Sequence, residues 1–150
     1  MAEDWGKTVA KKVEGRIAEE AERIATQRKR FEEGVERFRK QVLDLVAAVN
    51  GNIATEPHRI QTIVLDNGLI LASAYKRIVT EETIGAAPKV PASVGKIAIH
   101  YENRKGAAPE PKDLFITSSG TQTTFYHLIG EQLKIIGEAD FKQIVEYFGS

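Results

Sequence analysis

The pattern of hydrophobic positions divides the chain at about residue 50. Before that point, apolar side chains recur at alternating intervals of four and three residues, the period of an amphipathic helix with a coiled-coil-like seam. No proline precedes Pro57, and Asn50-Gly51-Asn52 is a typical helix-ending sequence. We therefore predict one long helix over residues 1–50. From residue 17 onward its seam consists of Ile17, Ala21, Ile24, Arg28, Phe31, Val35, Phe38, Val42, Leu45 and Val49.

The two ends of this predicted helix differ in what surrounds the seam. Up to about Lys40 the other positions are nearly all charged, whereas Val42–Val49 is apolar on almost every side. A helix that is hydrophobic all round is buried. We therefore expect the last two turns to lie inside the globular part and the earlier turns to lie along or beyond its surface.

After Pro57 the hydrophobic period changes to two, which indicates strands. Asn67-Gly68 predicts a hairpin with a two-residue turn that places Asp66 opposite Leu69. Residues 80–95 and 104–113 contain the remaining glycines and prolines of this region and are predicted loops. The predicted strands are Ile60–Leu65, Leu69–Val79, Lys96–Glu102 and Leu114–Thr117.

The last 26 residues are less clearly patterned. Residues 125–136 fit two short strands that turn near Gly130, which we favour, or a helix. Asp140 can cap a final helix. The expected fold is α+β: a long N-terminal amphipathic helix, an antiparallel β-meander of about five strands and a short C-terminal helix, with residues 1–50 and 51–150 forming one structural domain.

The length of the first helix carries the functional prediction. From Trp5 to Val49 it would extend for roughly 65–70 Å, whereas the other hundred residues would form a globule of about 35 Å. Part of the seam must therefore be covered by self-association, by a protein partner, or by a break near Gly34 that folds the helix back. We expect a homo-oligomer, with a dimer first, in parallel or antiparallel orientation. The predicted interface residues are Ile17, Ile24, Arg28, Phe31, Val35 and Phe38.

Composition excludes several classes of function. Lys and Arg number 21 and Asp and Glu number 21, which argues against a generic nucleic-acid binder because that affinity needs a surplus of cations. The chain has no cysteine, so disulfides, thiolate metal sites and cysteine nucleophiles are excluded. No signal peptide or membrane-length apolar run is present, and a cytoplasmic location without membrane association is expected.

The strongest candidate for a small-ligand site is the polar run after the fourth predicted strand. Its hydroxyls and backbone N–H groups could bind an anion, although the same residue types also make plain turns. The three histidines lack metal-ligand spacing, so no metal, cofactor or catalytic residue is predicted. The candidate ligand-binding residues are Ser118, Ser119, Gly120, Thr121 and His127.

These observations favour a non-catalytic interaction or oligomerisation protein, such as an adaptor, a regulatory subunit or a stoichiometric inhibitor, that assembles through its N-terminal helix. The alternative is a ligand-binding or catalytic sheet domain with a pocket near Ser118–Thr124 and His127.

Overall fold

A single helix forms the first third of the chain. The computed structural model describes residues 2–119 and 121–150. Helix α1 is continuous over Ala2–Asn50, so it does not break at Gly34, and it is about 73 Å long at 1.5 Å per residue. The side-chain amide of Asn50 donates to the carbonyl of Ile60 at 2.9 Å and accepts from the Ile60 N–H at 2.9 Å. This pair of hydrogen bonds fixes the end of α1 to the start of the sheet.

The remainder is an antiparallel sheet followed by a short helix, α2, at Glu138–Glu146. Each strand pairs with the next along the chain, so the described residues form a seven-stranded meander in sequence order. Single 3₁₀ turns lie at Glu56–His58 and Tyr147–Gly149. The strands are β1 Gln61–Leu65, β2 Gly68–Ala72, β3 Lys76–Ile84, β4 Ser93–Asn103, β5 Lys112–Ser118, β6 Thr123–Ile129 and β7 Gln132–Ile135.

The α+β class is confirmed, but the prediction of about five strands is wrong. The predicted strand Leu69–Val79 is in fact β2 and β3, joined by a turn in which the Ser73 N–H donates to the Lys76 carbonyl at 2.9 Å. No glycine or proline marks this turn. The β3 strand also continues to Ile84, into the predicted loop. Residues 125–136 form β6 and β7 around Gly130 (φ 61°), which confirms the favoured alternative.

The first hairpin forms where it was predicted but with a different register. Leu65 pairs with Gly68, so the two turn residues are Asp66 and Asn67, and Leu69 pairs with Val64 instead of Asp66. Gly68 therefore lies in β2, where a Cβ atom would overlap the carbonyl oxygen of Thr80. The glycine is needed for this close approach of β3, and not for a positive φ.

One core joins the packed part of α1, α2 and one face of the sheet. The Phe38 ring is fully buried, with its centroid 6.2 Å from that of Phe125 and 5.8 Å from that of Phe141. Val35 is also buried in this core. Val35 and Phe38, two of the predicted interface residues, are therefore covered within the chain itself. The sheet contributes Leu71, Ile78, Ile97, Ile99, Leu114, Ile116 and Phe125.

The two helix ends near the core differ from the predictions in detail. The apolar end of α1 is only partly buried, because Val46 lies in the core whereas Val49 is 39% exposed. Helix α2 begins at Glu138, so Asp140 acts from its third position, where its carboxylate accepts the Gly137 N–H at 3.0 Å. It caps the helix from inside the first turn.

Candidate functional site

Helix α1 has two halves with different surroundings. Every side chain from Ala2 to Thr26 is exposed, Gln27, Arg30 and Phe31 are half-buried, and burial is complete at Phe38. We call residues 2–30 the projecting half and residues 31–50 the packed half. Of the predicted interface residues, Ile17, Ile24 and Arg28 lie exposed on the projecting half, and Phe31 lies half-buried at the boundary.

Large apolar side chains are exposed along the projecting half. Trp5 is 72% exposed, Ile17 64% and Ile24 47%. At 100° per residue, Ile17 and Ile24 fall on the same side of the helix as Phe31 and Val35, which pack against the sheet. Ile17 and Ile24 are therefore a direct continuation of the core-forming seam, and Val13, Val9 and Trp5 drift away from it by about 40° per step toward the N-terminus. We call Trp5, Val9, Val13, Ile17 and Ile24 the projecting stripe.

The first close contacts between the seam of α1 and the sheet are at Phe31 and Gly34. The Phe31 ring lies against Gly95 of β4, and Gly34 lies against Ile116 of β5. A Cβ atom at either glycine would overlap its neighbour, so both contacts require glycine. The close approach at these two points fixes where the helix stops projecting.

An ion pair anchors the packed half to the sheet. Arg39 donates to both carboxylate oxygens of Glu82 at 2.8 Å, and also to the carbonyl of Leu65 at 2.9 Å. The Glu82 side chain is 4% exposed, so this bidentate pair is shielded from water. The hydrogen bond with Glu82 raises the pKa of the Arg39 guanidinium further. One side chain thus joins α1, the first hairpin and β3.

Charges on the projecting half alternate in blocks. An internal ion pair joins Glu20 to Arg23, and its hydrogen bond lowers the pKa of Glu20 although both side chains are exposed. The surface therefore presents a sequence of charges rather than one sign. From the N-terminus the charges are acidic Glu3 and Asp4, basic Lys7, Lys11 and Lys12, then Glu14 and Arg16, acidic Glu19, Glu20 and Glu22, and basic Arg23, Arg28, Lys29 and Arg30.

The residues predicted for a small-ligand site lie in and beyond the turn between β5 and β6. The Ser119 N–H donates to the Gln122 carbonyl at 3.1 Å, and the Ser119 hydroxyl lies 3.4 Å from that of Thr121. Ser118 ends β5 and pairs with Thr123. Gly120 lies outside the described residues. The stretch thus has the backbone hydrogen bonding of a hairpin turn.

His127 lies away from this turn. It pairs with Leu114, four residue pairs from the Ser118–Thr123 pair, which is roughly 13 Å along the strand. Its Nδ1 atom is 3.3 Å from the Asp113 carbonyl oxygen. The structure therefore brings the serines and Thr121 together and places His127 elsewhere on the sheet.

An apolar groove that was not predicted lies at the other end of α1. It encloses about 610 Å³ between the last turn of α1, the segment before β1 and α2. Its apolar lining includes Leu45, Val49, Ile53 and Phe148, with His58 also present. The sequence signal that corresponds to this groove is the apolar run Val42–Val49, which the structure leaves partly exposed.

Comparison with known proteins adds no assignment. No protein-family model, curated protein or solved structure matches this chain. The helices among the described residues are each too short or too polar to span a lipid bilayer. The same part of the chain holds no cluster of three or more histidine and carboxylate side chains that could bind a metal ion. The case for a function therefore depends on the surface of the molecule.

Proposed function

We propose that this protein is a non-catalytic assembly protein whose projecting half is the interface for self-association. The observation that carries the proposal is the projecting stripe, which continues the core-forming seam of α1 into solvent. Monomeric proteins rarely expose contiguous apolar surface of more than a few hundred Å². A covering partner would turn this stripe into a second core.

The low stability of an unpacked helix also supports self-association. Isolated helices are marginal in water, and most helical stability in proteins comes from packing of an apolar face. Residues 2–26 are exposed throughout, and the loop before β4 only lines an open groove along Glu19–Arg30. A second copy carries the same stripe and can supply the missing packing without any further component.

Replacement of Ile17 by Glu tests this proposal. Ile17 lies in the middle of the projecting stripe and makes no core contact, so a charge there should prevent association while the sheet folds normally. We expect light scattering at tens of micromolar to give a dimer mass for the native sequence and a monomer mass for Ile17→Glu. Circular dichroism would verify that the core is retained.

Ala18→Glu is the matched control. Ala18 is the next residue along the helix, is also exposed, and points away from the stripe. It should remain dimeric, since its new charge stays in water. A clean monomer of the native sequence, or loss of the dimer in both variants, would contradict the proposed function.

Small-ligand binding at the turn between β5 and β6 is the alternative proposal. Its support is the exposed Ser119 and Thr121 hydroxyls, which lie side by side. The hydrogen bonding of a plain hairpin turn and the distance to His127 weigh against it. Titration with inorganic phosphate, followed by NMR on the native sequence and on Ser119→Ala, would detect such a site. Equal shifts in both proteins would remove this alternative.

A further inference from the structure

We infer that two copies pair their projecting halves antiparallel about Ile17, with the two sheets at opposite ends of the helix pair. This inference rests on the proposed function and specifies the partner and its orientation. The position of the sheet, the length of the free stripe, its side chains and the charges at its two ends support it.

The position of the sheet excludes a parallel pair. A helix that covers the projecting stripe lies on the side of α1 that the sheet occupies from Phe31 onward, because stripe and core seam are continuous. A parallel partner helix would continue past Phe31 into the volume of β4 and β5. An antiparallel partner helix reaches this point with its own N-terminus and ends there.

The length of the stripe sets the register. From Trp5 to Arg28, the last seam position before the sheet contacts begin, the helix extends for about 35 Å. Two such stretches overlap fully when Trp5 of each copy lies beside Arg28 of the other. The midpoint of that overlap falls within one residue of Ile17.

The side chains match in this register. Val9 lies opposite Ile24 of the second copy, Val13 lies opposite Ala21, and Ile17 meets its own equivalent. Trp5 points about 100° away from the seam, so it takes no part in this match.

The charges at the two ends of the pair match in the same register. The acidic first turn, Glu3 and Asp4, lies beside the basic residues 28–30 of the second copy. Lys11 and Lys12 lie beside Glu22, whereas Glu14 comes level with Glu19 and Glu20 of the second copy. A parallel pair in register would instead place every charge beside its own equivalent, which is repulsive. The charges at the ends therefore favour the antiparallel arrangement.

Disulfide cross-linking tests the orientation on a clean background, because the native chain has no cysteine. In the antiparallel pair, the two copies of residue 9 are about 24 Å apart along the axis, beyond the 4.4–6.8 Å between the Cα atoms of a disulfide. Val9→Cys alone should therefore stay uncross-linked. Refolding it with Ile24→Cys under mild oxidation should give a covalent dimer with one copy of each variant.

Ile17→Cys should cross-link with itself, and Ala18→Cys, which points away, is the negative control. Light scattering on the native sequence separates the two proposals. A dimer in which Val9→Cys cross-links with itself, or in which the mixture forms no mixed disulfide, overturns the antiparallel pair and leaves self-association standing. A native monomer overturns both.

Discussion

The two halves of α1 carry the same seam and differ in what lies against it. In the packed half, Phe38 is fully buried between rings from the sheet and α2, whereas in the projecting half Ile17 is 64% exposed. The hydrophobic period is therefore not sufficient to tell a core face from an interface face. The sheet makes the difference, because its strands pack against the seam from Phe31 onward.

The comparison predicts that matched substitutions in the two halves have different consequences. Each pair below is to be measured in the Ile17→Glu background, which we expect to be monomeric. In this background the packed half contributes to the stability of the fold, and the projecting half contributes to its own local helix.

The largest difference is expected between Phe38→Ala and Ile24→Ala. Loss of the buried Phe38 ring should cost about 3–5 kcal/mol of unfolding free energy because it leaves a cavity among three elements. Ile24→Ala should change the unfolding free energy by less than about 0.5 kcal/mol. Urea unfolding followed by near-ultraviolet circular dichroism measures both values. Equal losses would mean that the projecting half also belongs to the core.

A smaller difference is expected between the two ion pairs. Glu82→Gln removes one of the two charge-assisted acceptors of Arg39 in a shielded site and should cost about 1–3 kcal/mol. Glu20→Gln removes the exposed partner of Arg23 and should leave the unfolding free energy nearly unchanged. The same urea titrations measure both. A large effect at Glu20 would show that the projecting half is tied to the fold.

Replacement of Gly34 and of Gly15 by alanine should change stability in opposite directions. Gly34→Ala forces a methyl group against Ile116 and should destabilise the core by about 1–3 kcal/mol. Gly15→Ala has open space around it and should stabilise the local helix by about 1 kcal/mol. Urea unfolding measures the first effect, and far-ultraviolet ellipticity of the folded protein measures the second. Gain of stability at both positions would contradict the close contact at Gly34.

The smallest effect concerns Glu20 itself. Its lowered pKa means that the Glu20–Arg23 pair supports the helix above the ordinary carboxyl pKa of 4.5, and this support disappears as pH falls through the lowered value. Exposure to water keeps the contribution small. An NMR titration of the Glu20 carboxyl group should give a pKa below the ordinary value, and Arg23→Gln should return it to that value.

The sequence predicted the large features of the fold because they depend on local chemistry. The helix length followed from an unbroken period, and the hairpin followed from Asn67-Gly68. The turn after β2 was missed because Ser73-Ala74-Tyr75 contains no strong turn residue. The hairpin register was wrong because Gly68 is needed for close contact with the Thr80 carbonyl, which is distant in sequence, and not for the turn. These errors arise where tertiary contacts, and not local sequence, determine the turn or the register.

The exposure of the residues assigned to the candidate interface could be predicted only in part, for the same reason. Ile17 and Ile24 were assigned from helix length alone, and both are exposed. Val35 and Phe38 were assigned with them because they share the seam, and no local pattern marks the point at which β4 and β5 reach the helix. Gly34 and Gly95 allow that contact, and the reason for a glycine at each position is visible only in the structure.

Hydrogen exchange along α1 tests the central claim most directly, because it measures both halves in one experiment. In the native protein at tens of micromolar, amides of both halves should be protected. In Ile17→Glu, residues 5–28 should exchange rapidly, since an isolated helix of this kind is marginal, while residues 35–49 stay protected. Rapid exchange of residues 5–28 in the native protein, or their continued protection in Ile17→Glu, would contradict the account.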